Sequence, residues 1–261
     1  MRRIYLGSNL KMYKGVQETV EYLRELESLT ADLDRSLTEL FILPSYTALD
    51  QASKAMEHGR ILLGAQNMCW EEQGQYTGEI SPLMLRELNM DLVMIGHSER
   101  RQLFGESDEE ENRKVRASLE HGFITLLCVG ETEREKKLGI AKEVLRRQLI
   151  VGLQGVSAAK AHDIRIAYEP VWSIGAVGIC AGADYAQSRH EEIRGCLLDI
   201  FGSAGTEIPV LYGGSVNLHN AEELIQKPDI DGLFIGRVAW EAKSFAALIR
   251  MVRAASERSG K

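Results

Sequence analysis

The chain has 261 residues, 44% of them hydrophobic and 26% charged, with only 5 prolines. That balance excludes a disordered or low-complexity protein and leaves material for a sizeable core. A formal charge of −7 offers no basic footprint for nucleic acid or an anionic membrane, and no apolar run reaches transmembrane length.

The opening MRRIYLGSNLKMY is interrupted by Ser8, Asn9 and Lys11 before it can act as a signal segment, so a cytoplasmic protein is expected. Cys69, Cys128, Cys180 and Cys196 are scattered without a CxxC pair. Neither a disulfide framework nor a zinc site is expected from that spacing.

In chain order, the apolar, β-branched-rich run RIYLGSN leads into VQETVEYLRELESL, whose apolar residues recur at three and four. LFILPS, ILLGAQN and LVMIGHS follow as strand-like runs, then the helical DEEENRKVRASLEHG. ITLLCVG precedes helical EVLRRQLIVGLQ, and IRIAYEP precedes DYAQSRHEEIRGCLLDIFG. IPVLYGG and GLFIGR complete a set of eight runs. Continuous apolar strands joined by helical crossovers predict a parallel sheet covered on its outer face. Eight such units in about 250 residues have the size of a closed (β/α)8 barrel. Residues 1–261 contain no linker that would divide them, so one barrel domain is expected.

Polar residues fall at the carboxyl ends of these runs: Asn9 and Lys11, Gln66 and Asn67, His97 and Glu99, Glu169, Ser215 and Gly236. In a barrel those ends converge on one mouth, where active sites are built. For each residue taken alone, the competing reading is the start of a surface loop. YGGSV and IGR end the last two strands with glycines whose N–H groups can approach an anion closely. Lys11 can balance the charge of such a ligand, His97 can donate to a carbonyl oxygen, and Glu169 can act as a base in a site that excludes water. The stretch AYEPVWSIGAVGICAG, apolar and punctuated by Gly175, Gly178 and Gly182, reads as a lid beside that base. His97 and Glu99 find no further ligand at a recognisable metal spacing, so no metal or cofactor is expected.

NLKM, GAQNMCWEEQGQYTGEIS, IGHSERR, LCVGET, AYEPVW and YGGSV together resemble the triosephosphate isomerase family, and the likeness runs nearly end to end. The resemblance implies that Asn9 and Lys11 bind and polarise substrate, that His97 is the electrophile and that Glu169 moves a proton between adjacent carbons. It implies that Gly175, Ser215 and Gly236 meet a phosphate through backbone N–H groups and that Ile174 shields the carboxylate; for Glu99 the residues themselves leave two readings, an ion pair with Arg100 or a group that orients Lys11. It further implies a homodimer in which the 66–81 loop docks into a second copy, with Thr77 near that partner's catalytic groups.

The departures from the family pattern are Leu10 for its usual tryptophan, Tyr13 for an asparagine, and Gly178, Ile179 and Cys180 for Lys-Thr-Ala at the far end of the lid. In the eighth run Arg237 stands for a second glycine and Phe234 for the leucine that clamps the base. GLFIGRVAW and SIGAVGICAGADYA are similar to a branch of the family acting on a four-carbon erythrulose phosphate. The primary expectation is interconversion of dihydroxyacetone phosphate and glyceraldehyde 3-phosphate. The alternative is isomerisation of an erythrulose phosphate such as L-erythrulose 1-phosphate by the same enediolate chemistry. A barrel that binds sugar phosphates without turning them over is the reading of another class, opposed by the presence of Asn9, Lys11, His97 and Glu169 together.

Overall fold

A computed structural model describes residues 2–57, 59–174 and 180–258. Eight strands form a closed barrel: β1 (Ile4–Asn9), β2 (Thr38–Leu43), β3 (Leu62–Ala65), β4 (Leu92–Ile95), β5 (Ile124–Val129), β6 (Ile164–Tyr168), β7 (Val210–Tyr212) and β8 (Gly232–Ile235). Each pairs in parallel with the next, and β8 returns to β1 in the register Tyr5↔Gly232 to Ser8↔Ile235. The predicted (β/α)8 architecture is the observed one.

Ten α-helices lie between and after the strands among the described residues. They are α1 (Val16–Leu29), α2 (Leu49–Ala55), α3 (Pro82–Glu87), α4 (Ser98–Leu103), α5 (Asp108–Glu120), α6 (Glu133–Lys137), α7 (Ala141–Gly152), α8 (Ala183–Phe201), α9 (Ala221–Gln226) and α10 (Ala242–Arg258). The periodicity in VQETVEYLRELESL predicts α1 to the residue. In the second run the strand begins at Thr38, two residues before the apolar stretch, and stops at Leu43 because Pro44 lacks an N–H for the ladder. Local chemistry starts several helices. Ser107 and Thr132 accept from the backbone of Glu110 and Glu135, whose carboxylates bond back to the cap residues' N–H groups.

The barrel strands are buried on both faces, which is why they read as unbroken apolar runs. One parity points into the barrel and supplies an inner core of Phe41, Leu43, Leu92, Met94, Leu126, Cys128, Ala167, Leu211 and Phe234. The other parity, including Leu40, Ile42, Val93, Ile95, Leu127 and Ile166, packs outward against the helices. Charges close the floor: Arg165 Nη2 lies 3.3 Å from Glu39 Oε2, and both side chains are buried. Above it, Phe41 fills space that exists only because residue 7 is glycine, since a Cβ there would stand 2.1 Å from the Phe41 ring. Phe234 then stacks on Phe41, with ring centroids 5.8 Å apart and an interplanar angle of 21°. Counting by twos up β6 from Arg165 through Ala167 brings Glu169 to the mouth.

Candidate active site

The carboxyl ends of the strands surround a cavity of about 460 Å3. Asn9, Lys11, His97, Glu99, Glu169, Ile174, Ser215, Phe234, Gly236 and Arg237 all line it. Gly175, Gly178 and Ile179 lie outside the described residues. The Thr77 side of the 66–81 loop is exposed, with residues 71–79 all open to solvent in a single chain.

Glu169 is 2% exposed although it sits at the edge of the cavity. Its N–H donates to the Val129 carbonyl at 2.7 Å, extending the β5–β6 ladder past the end of the strand. Pro170 follows and holds Glu169 in extended backbone. One carboxylate oxygen, Oε2, accepts the Ser98 N–H at 3.2 Å, at the positive start of α4. The other, Oε1, lies 3.4 Å from His97 Nε2. Beneath Glu169, Cys128 is fully buried, and burial with the Glu169 charge beside it pushes its thiol well above the usual range. Close approach is possible only because residue 130 is glycine, whose Cβ would fall 1.8 Å from the Glu169 carbonyl oxygen.

His97 caps α4, and its Nδ1 accepts the Glu99 N–H at 3.2 Å. A ring nitrogen that accepts a backbone N–H carries no proton, so the hydrogen resides on Nε2, which faces Glu169. The ring is therefore arranged as a donor toward Glu169 and the cavity beside it.

Lys11 has φ of +51°, a conformation costly for a residue with a Cβ. Its surroundings hold it there. The Lys11 N–H donates to Asn9 Oδ1 at 2.7 Å, and its carbonyl accepts from Gln66 Nε2 at 2.9 Å. The ammonium donates to Glu99 Oε1 at 2.6 Å, and Glu99 is about half exposed. The ammonium is thus held at the mouth by the Glu99 carboxyl group.

Sequence reasoning missed several participants. Glu131 is wholly buried and accepts from Tyr168 Oη at 3.0 Å, Trp172 Nε1 at 2.8 Å and Tyr185 Oη at 2.8 Å. Burial and the Glu131 charge raise both tyrosine hydroxyls above their usual range. Lys136 lies 3.1 Å over the Trp172 ring. Ser173 Oγ accepts the Ser215 N–H at 3.3 Å, tying the turn after Glu169 to the loop after β7. Glu131 lies in LCVGET, at the carboxyl end of the fifth run, which was its one sequence signal. Tyr13 and Trp240 also line the cavity, and nothing local in their sequence places them there.

Among the described residues no cluster of three or more His, Cys, Asp or Glu is arranged to hold a metal ion, and no helix is long and apolar enough to cross a membrane.

Comparison with known proteins adds a second line. The sequence profile described as triosephosphate isomerase matches residues 4–252. An L-erythrulose-1-phosphate isomerase of Rhizobium etli is 46% identical over 258 residues, covering 98% of this chain and 95% of the relative. A triosephosphate isomerase of Carboxydothermus hydrogenoformans is 42% identical over 251 residues, covering 96% and 99%. The crystal structure of triosephosphate isomerase from Bartonella henselae superposes with a TM-score of 0.86 at 36% identity, covering 96% of this chain and 99% of that one. With a closed eight-stranded barrel, a buried carboxylate facing a histidine and likeness along almost its whole length, the chain belongs to the triosephosphate isomerase family and is a sugar-phosphate isomerase.

Proposed function

We propose that the chain isomerises L-erythrulose 1-phosphate, the four-carbon reading, in preference to dihydroxyacetone phosphate. The observation that carries this is the 46% identity over 98% of the chain to a relative of that name, supported by Arg237 and Phe234 at the cavity where the family usually has glycine and leucine. The triose reading retains the support of the Carboxydothermus relative, at 42% identity.

In L-erythrulose 1-phosphate the ketone is at C2, and C3 carries a hydrogen, a hydroxyl and a CH2OH group. Glu169 removes the C3 proton, and the electron pair of that bond forms the C2–C3 double bond while O2 takes up negative charge. His97 Nε2–H and the Lys11 ammonium stabilise that oxygen. The hydroxyl proton passes from O3 to O2, the proton returns to C2, and the carbonyl re-forms at C3. One C–H bond breaks and one forms, so the product is erythrulose 4-phosphate and no external oxidant or reductant is needed. C1 is occupied by the phosphate ester, so no aldose can form from this substrate. Applied to dihydroxyacetone phosphate, the same steps give glyceraldehyde 3-phosphate.

In this reading the phosphate is held by the N–H groups of Ser215 and Gly236, with Gly175 contributed by the lid and Arg237 adding a fork of donors at the rim. Ile174 and Phe234 flank the carboxylate and keep water from it. No metal or cofactor takes part, and the protein is a cytoplasmic, single-domain barrel over residues 1–261 that needs neither membrane nor nucleic acid.

The active form is a homodimer through the 66–81 loop. Exposed apolar side chains support this: Met12 at 94%, Leu103 at 74% and the adjacent Phe104 at 68% are apolar area that a second copy would cover. In that dimer Thr77 approaches the partner's site.

The deciding test is kcat/KM on L-erythrulose 1-phosphate and dihydroxyacetone phosphate under identical conditions. The four-carbon substrate is expected to win by orders of magnitude, and a preference for the triose overturns the reading. Glu169→Gln should abolish turnover of both while 2-phosphoglycolate still binds. Retained turnover would remove Glu169 as the base.

A further inference from the structure

The loops after β1 and after β8 carry different parts of the site, yet one side chain joins them. Trp240 ends the turn Arg237–Trp240, which begins beside Gly236. Two hydrogen bonds hold that turn: the Ala239 N–H donates to the Gly236 carbonyl at 2.9 Å, and Tyr22 Oη donates to the Ala239 carbonyl at 2.6 Å from α1. From its end, Trp240 Nε1 donates to the Asn9 carbonyl at 3.0 Å. The same peptide unit is held on its other side, where the Leu10 N–H donates to the Leu43 carbonyl at 3.0 Å. The next residue is Lys11, in its left-handed conformation. Past it, the Tyr13 ring packs on the Trp240 indole with centroids 4.4 Å apart at 41°. Trp240 therefore grips the Lys11 segment on both sides.

We propose that Trp240 is a positioning residue that latches the phosphate end of the site, at Gly236 and Arg237, to the loop that presents Lys11. The proposal rests on the sugar-phosphate reading of the cavity and deepens it. A peptide clamped at both ends keeps its plane, and that plane sets where the strained Lys11 begins. Losing the indole N–H frees one end, and the energetic cost of the positive φ then pulls Lys11 away from the place where charge develops on the substrate oxygen. A ligand that reaches only the phosphate end does not sense this, whereas one spanning both ends does.

Trp240→Phe keeps a ring for Tyr13 and removes the N–H, while Trp240→Leu removes both. Binding of inorganic phosphate and of 2-phosphoglycolate is measured by calorimetry, together with kcat and KM on both sugar phosphates. For Trp240→Phe the affinity for inorganic phosphate should match the parent, while 2-phosphoglycolate affinity and kcat/KM should each fall about tenfold, the worth of one net hydrogen bond. Trp240→Leu should lose more, in the same two quantities. Equal loss for both ligands would reduce Trp240 to a structural support, and unchanged kcat/KM and 2-phosphoglycolate affinity would remove the latch. If the parent protein converts neither sugar phosphate, the functional reading fails on that result alone. The comparison of the two ligands still scores the latch.

Discussion

Replacing Gly130 by alanine probes how Glu169, the proposed base, is seated without altering its side chain. The new Cβ would stand 1.8 Å from the Glu169 carbonyl oxygen and 2.6 Å from its carbonyl carbon, where ordinary contact begins near 3.4 Å. Gly130 cannot retreat, because its N–H donates to Gln148 Oε1 at 2.8 Å and its carbonyl accepts from Gln148 Nε2 at 3.2 Å. The segment at Glu169 has to shift instead, on the order of 1 Å, in an interior packed too closely to absorb the change elsewhere. Displacing a catalytic group by that distance costs about 100-fold. The assay is kcat/KM on the preferred sugar phosphate beside a thermal melt, with activity expected to fall far more than folded yield. Gly195→Ala is the control: this position in α8 is exposed, and a Cβ there meets nothing within 4 Å. It should leave activity intact and add roughly 0.5–1 kcal/mol of stability, the usual gain on removing a helical glycine. Wild-type kcat/KM in Gly130→Ala would refute the claim that this contact seats the base.

Three further outcomes follow from other parts of the molecule. Burial pushes the Glu111 carboxyl up to about 8, against the pull of the neighbouring Arg101. Between the ordinary carboxylate range and about pH 8 the folded state therefore binds more protons than the unfolded chain. Stability should decline as pH rises through that window and level off above it; Glu111→Gln should flatten the Tm profile there, and an unchanged slope would assign it to other groups. Glu131→Leu leaves the buried donor of Tyr168 and the half-buried donors of Trp172 and Tyr185 without their acceptor. At about 1–3 kcal/mol for the buried Tyr168 donor, with less for the two that water can reach, the fold should lose at least about 1 kcal/mol in urea, and a wild-type midpoint would show that water replaces the carboxylate without cost. Arg237→Gly should lower the preference for the four-carbon over the three-carbon substrate in competition assays, and an unchanged ratio would take Arg237 out of specificity.

Much of the site was legible because the barrel imposes a simple rule. Strands buried on both faces read as apolar runs, and the polar residue that ends each run lies at the mouth. Asn9, His97 and Glu169 are visible for that reason, and Pro170 marks where the sixth run must stop. What was not legible depends on partners far apart in the chain. The Trp240 bond to Asn9 crosses 231 positions, and Glu131 collects donors from the end of β6, the turn after it and α8. Arg165 reads as an interruption of an apolar strand until Glu39 appears across the floor of the barrel.

By itself the sequence determined the alternation of strands and helices, their parallel closure and the set of groups at the carboxyl ends, since local periodicity and strand burial leave little freedom there. Only the tertiary structure decided the histidine tautomer facing Glu169, the strained backbone of Lys11 and the glycine beneath Glu169. Those features arise where separate strands bring backbone groups within hydrogen-bonding distance, and contacts of that kind leave no period in the chain.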